Sequence, residues 1–115
     1  MNVNGVVGTW NGGDGHLTFQ SNGGAVARGV RGICSGVLSG SGSWSFTNSL
    51  SFGNNGAVLS VHNFDTGKYL ALDFRGGACT FFLINPTAPQ KGTALRRLCY
   101  LNDPDDGCLP PVFRK

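Results

Sequence analysis

The sequence predicts an all-β fold, a small antiparallel up-and-down β-barrel of about eight short strands, stapled by disulfides. Three observations carry that expectation. Apolar residues recur with period two between Gly clusters at roughly 8- to 12-residue intervals, the spacing of successive short hairpins. The composition holds 19 Gly, a single Met and no Glu, so strong helix formers are scarce and turn formers abundant. Four cysteines, Cys34, Cys79, Cys99 and Cys108, are even in number and widely spaced, without a Cys-x-x-Cys pair.

At 115 residues the chain has room for one core, since domains cluster around roughly 100 to 150 residues. A hydrophobic fraction of 40% with eight Phe and two Trp is too apolar for a disordered chain despite the Gly and Ser content. The domain reads as 1–115, with the barrel over about 6–101 and a disulfide-closed turn and extended C-terminal arm over 102–115.

Strands are expected at about Val6 to Asn11, His16 to Gln20, Ala25 to Arg31, Ile33 to Ser39, Ser43 to Thr47, Ala57 to Asn63, Tyr69 to Phe74, Cys79 to Ile84 and Ala94 to Leu101. Between them lie Asn22-Gly23-Gly24, Asn54-Asn55-Gly56, Asp65-Thr66-Gly67 and Arg75-Gly76-Gly77, which tolerate the positive φ of tight hairpins. The segment from Asn85 to Gly92 is the one long Pro-containing loop inside the fold. Pro104 and Pro110-Pro111 mark the tail as coil whose Leu109, Val112 and Phe113 pack over a sheet edge.

The cysteines also bear on compartment. His16 and His62 are remote from them in sequence, which argues against zinc, and disulfides in an oxidising compartment are the better reading. Of three possible pairings, Cys99–Cys108 is favoured because Asn102-Asp103-Pro104-Asp105-Asp106-Gly107 is turn-forming and returns the chain on itself, which leaves Cys34–Cys79. A secreted or periplasmic location follows as an expectation, although Met1-Asn2-Val3-Asn4-Gly5 lacks the pattern of a secretory leader. No apolar run is long enough to span a membrane as a helix. The net charge of +3 is mild, and Arg96, Arg97, Arg114 and Lys115 lie near Asp103, Asp105 and Asp106, so nucleic acid is not expected as a partner.

Gly8-Thr9-Trp10 in the first expected strand and Arg97 in the last resemble the pattern of the calycin superfamily of lipocalins, avidins and bacterial protease-inhibitor barrels. The resemblance implies a Trp10 lying across the closed barrel end with the Arg97 guanidinium over its ring, a structural pair. A second resemblance is to a β-trefoil hairpin, carried by Thr66-Gly67-Lys68-Tyr69-Leu70 and the aromatic strand from Cys79 to Ile84; a trefoil needs this unit three times, and it is convincing once.

Catalytic material is thin. His16 or His62 with Asp14 or Asp65 would be the acid–base pair of a small hydrolase or ribonuclease, but both histidines sit beside expected turns, where a solvated His is commonplace. The acidic run from Asn102 to Gly107 lacks the spacing and terminal Glu of a calcium loop, and no metal or cofactor is expected. Binding suits the residues better. Trp44, Phe46, Tyr69 and Phe74, with Leu109 and Val112 of the arm, are the expected ligand- or partner-binding residues. The expectation is therefore a secreted, non-catalytic binding protein, inhibitor or effector, whose partner is a protein target or a small apolar ligand. A carbohydrate-binding module with Trp44 and Tyr69 as stacking platforms is the alternative.

Overall fold

A computed structural model describes residues 2–34, 36–47, 62–63, 67–74, 79–85, 97–101 and 108–115, with the side chains of 62 and 63 excepted. The expected strand at Ala57 falls mostly outside these residues, as do the turns Asn54-Asn55-Gly56 and Arg75-Gly76-Gly77, the loop after Asn85 and the acidic turn from Asn102 to Gly107.

The chain opens with a one-turn helix α1 (Val3–Val6), whose cap Asn2 accepts from the Gly5 backbone N–H at 3.0 Å through its side chain. Among the described residues nine strands follow: β1 (Gly8–Gly12), β2 (Gly15–Phe19), β3 (Gly24–Arg31), β4 (Val37–Thr47), β5 (His62–Asn63), β6 (Tyr69–Phe74), β7 (Cys79–Ile84), β8 (Arg97–Leu101) and β9 (Leu109–Arg114). Eight of them, all but β5, form a closed antiparallel barrel in the order β1-β2-β3-β4-β6-β7-β8-β9, and β9 returns to β1 through the pair Asn11 and Arg114. Short β5 adds beside the last residues of β4, with Phe46 opposite Asn63. Strands that follow one another among these eight are neighbours in the barrel, and closure leaves the eight without a long free edge.

Two expected elements change. The strand expected from Ile33 to Ser39 starts only at Val37, with Ile33 and Cys34 in the connection before it, and it is continuous with the segment expected from Ser43 to Thr47 as one strand, β4, running through Gly40-Ser41-Gly42. Gly42 is there for close approach: a Cβ on it would lie 2.2 Å from the Asp73 carbonyl oxygen of the paired strand. The C-terminal arm is the second correction, since residues 109–114 form the strand that closes the barrel. Prolines suggested coil because they cannot donate to a ladder. Here Cys99 pairs with Val112 and Tyr100 with Leu109, so Pro110 and Pro111 fall in the register break, where no donor is required.

Period-two alternation sends one face of each strand inward. Trp10, Leu17, Phe19, Trp44, Phe46, Phe74 and Phe113 belong to one continuous buried cluster. The two disulfides, Cys34–Cys79 and Cys99–Cys108, have Cα separations of 6.1 and 5.5 Å. From the strand directions, Cys34–Cys79 ties the β3–β4 connection to the start of β7, at the barrel end opposite α1. No helix among the described residues is long and apolar enough to cross a membrane.

Candidate functional site

At the α1 end the barrel is sealed by Trp10. Its ring is fully buried, and its Nε1–H donates to the Val6 carbonyl at 2.8 Å, satisfying a C-terminal carbonyl of α1 that the helix itself cannot pair. Lys115 completes the seal: its Nζ lies 5.6 Å from the Trp10 ring centroid and donates to the Gly5 carbonyl at 3.4 Å. The glycine two residues before the tryptophan has a steric reason as well. Gly8 has φ +129°, and a Cβ there would stand 2.9 Å from Lys115 Cε, in the path of the lysine stem. The cation over Trp10 is thus Lys115, following β9, and Arg97 is corrected to an exposed residue of β8, with β9 between its strand and β1. The expected cation falls one strand short because the barrel runs on past residue 101 and closes through β9.

Three of the six expected binding residues lie in the core. Trp44, Phe46 and Phe74 are at most 2% exposed and point inward. Trp44 stands edge-on to Phe19 and Phe46, with centroids 5.8 and 5.3 Å apart, and its Nε1–H donates to the Gln20 carbonyl at 2.8 Å. Phe74 stacks on Phe81 at 5.9 Å. Solvent reaches almost none of this surface, so among the described residues the inward side chains pack against one another, as in narrow barrels generally. The reading of these three as partner-contacting residues is corrected: an eight-stranded barrel lined with Gly and Ala on β3 and β4 needs the large rings to fill its centre. Tyr69, Leu109 and Val112 are half-buried and keep accessible surface. Tyr69 and Ile84 flank a separate outward cluster of Ala71, Phe82 and Leu101, itself buried.

A feature the sequence reading did not find lies on the opposite part of the wall. Arg28 pairs with His16, His16 with Asn11, Asn11 with Arg114, and Arg114 with Arg97. Directly paired residues of an antiparallel ladder share a face. These five, all exposed, therefore form one unbroken cross-strand row over β3, β2, β1, β9 and β8. At the usual strand spacing the row is about 19 Å long and wraps half of an eight-stranded wall. His16 Nδ1 is hydrogen-bonded to Asn11 Oδ1; the amide oxygen only accepts, so Nδ1 donates. Two pairs further along β1 and β2, past the inward Trp10 and Leu17, the Thr9 and Thr18 hydroxyls meet at 3.1 Å on the same face. Of the acids among the described residues, Asp14 lies in the β1–β2 turn, and Asp73 lies on β6, where it accepts from the Thr80 hydroxyl at 3.4 Å.

For catalysis, His16 is paired with an amide and not with a carboxylate, while the side chain of His62 and Asp65 fall outside the described residues. Among the described residues no group of three His, Cys, Asp or Glu is placed to hold a metal ion. Comparison of the chain with protein-family models, curated proteins and solved structures returns no match.

Proposed function

We propose that the chain is a secreted, non-catalytic binding protein of calycin-like build, which engages a protein partner with its outer surface. The burial of the inward rings is the observation that supports this reading: among the described residues they carry almost no accessible surface for a small apolar ligand, which favours recognition by the wall and the barrel ends. Two disulfides support an oxidising, extracellular setting. The closed antiparallel barrel and the buried Trp10 of Gly8-Thr9-Trp10 support the calycin likeness in architecture. A wall tied by covalent links and closed hydrogen-bond ladders loses little entropy on docking, which suits an inhibitor or effector. Tyr69, Leu109 and Val112 remain the proposed contact residues.

Titration of the oxidised protein with a fluorescent fatty-acyl probe tests the outer-surface reading. No saturable uptake is expected, and tight one-to-one uptake would overturn it in favour of a lumen ligand. Alongside it, a panel of extracellular proteases assays inhibition; stoichiometric inhibition of one, lost when Val112→Asp is introduced, is the expected result for an inhibitor.

A further inference from the structure

We infer that the cationic row formed by Arg28, His16, Asn11, Arg114 and Arg97 binds a linear acidic polysaccharide through its carboxylate or sulfate groups, a second partner class beyond the protein-binding reading above. Register alone builds the site: residues far apart in sequence become lateral neighbours on five consecutive strands. Arg114 stands directly opposite Arg97. Two like charges in that position repel, and an anionic group seated between the guanidiniums turns the repulsion into two charge-assisted, fork-shaped contacts.

The shape and chemistry of the row select the occupant. It follows a convex wall, which a flexible linear polyanion tracks and a rigid duplex touches only locally. Thr9 and Thr18 beside it on the same face, with the Asn11 amide within it, supply neutral hydrogen-bonding groups of the kind that sugar hydroxyls pair with. Binding of a single-stranded nucleic acid draws on aromatic platforms for its bases. The one aromatic ring in the row is the small imidazole of His16, tied at Nδ1 to Asn11, and the described tryptophans and Phe rings are buried on the inner face or in the Ala71 cluster. An oxidising location places the protein among extracellular glycans.

The test is calorimetric titration of the intact, oxidised chain at about 0.15 M salt, with heparin as the sulfated probe and polygalacturonate as the carboxylated one. Neutral dextran and a single-stranded oligonucleotide of matched charge serve as comparators. Saturable binding to at least one acidic polysaccharide is expected, with none to dextran, and which of the two binds identifies the anionic group. The double variant Arg97→Gln/Arg114→Gln should weaken that binding about tenfold or more, the loss of one charged hydrogen-bonding site, with an unchanged melting temperature. Lys68→Gln, which removes one charge from β6's approach on the far part of the wall, should stay within about twofold, well under the loss of one such contact. If the double variant fails to fold, His16→Gln/Arg28→Gln at the other end of the row carries the same expectation. Absence of saturable polysaccharide binding, equal weakening by Lys68→Gln, or oligonucleotide binding as tight as polysaccharide binding would each overturn the proposal.

Discussion

Replacing Trp10 by Phe should cost about 3 kcal/mol, because the indole does three separate things at the α1 end of the barrel. Its Nε1–H is a hydrogen-bond donor to the buried Val6 carbonyl, and phenylalanine leaves that acceptor unpaired at a cost of about 1 to 3 kcal/mol. The smaller ring also leaves a gap in a site with no accessible surface, worth about 1 kcal/mol at the usual dependence on cavity volume. Finally, Lys115 loses the better of the aromatic faces, an exposed cation–π contact of about 0.5 to 1 kcal/mol. Against a total stability of about 5 to 15 kcal/mol this is a large fraction. For a chain of this length it corresponds to a melting temperature lower by roughly 10 °C. Urea denaturation followed by the fluorescence of buried Trp44, which the substitution leaves in place, measures it; the midpoint should fall with an unchanged slope. A double-mutant cycle with Lys115→Met isolates the cation: the lysine change should destabilise by about 0.5 to 1 kcal/mol in the parent and by less where Trp10→Phe is already present. A loss below about 1 kcal/mol for Trp10→Phe, or an identical lysine effect in both backgrounds, would rule out the seal as described.

The disulfides should differ in worth as their loops do: removing Cys34–Cys79, which spans 45 residues, should cost about 4 kcal/mol, and removing Cys99–Cys108, which spans 9, about 2.5 to 3. Paired Cys→Ala variants compared by denaturant titration check both the sizes and the order. Gly42→Ala drives a Cβ into the Asp73 carbonyl and the Phe74 ring and should destabilise by about 1 to 3 kcal/mol or more. Gly13→Ala, at φ +58° with open space around it, should cost only about 1 kcal/mol from backbone strain. Melting of the two variants side by side checks it, and equal losses would remove the close-approach account of β4.

The segments at β6 and β7 were legible to the residue, because in both a short, nearly continuous apolar run is bounded by residues that stop a strand. Cysteine pairing was legible for a similarly local reason, since a turn-forming stretch between Cys99 and Cys108 leaves one partner for each remaining sulfur. The Gly-x-Trp at the barrel end could be read as a seal, but its covering cation could not be identified. Lys115 reaches Trp10 only because β9 inserts between β8 and β1, and that insertion depends on two prolines falling in a register break, a long-range coincidence that local propensity scores as coil.

The same division separates the faces of the wall. Alternation says which residues of one strand share a side, so the residue pattern alone was enough for an all-β, disulfide-tied barrel with a large aromatic reserve. It could not say that the aromatics Trp44, Phe46 and Phe74 fill the centre, because inward and outward are exchanged by a shift of one residue and only closure of the sheet chooses between them. Nor could it say that Arg28, Arg97 and Arg114 stand in one row with His16. Lateral neighbours in a sheet are set by the register between strands, and that is a property of the closed barrel which no window along the chain contains.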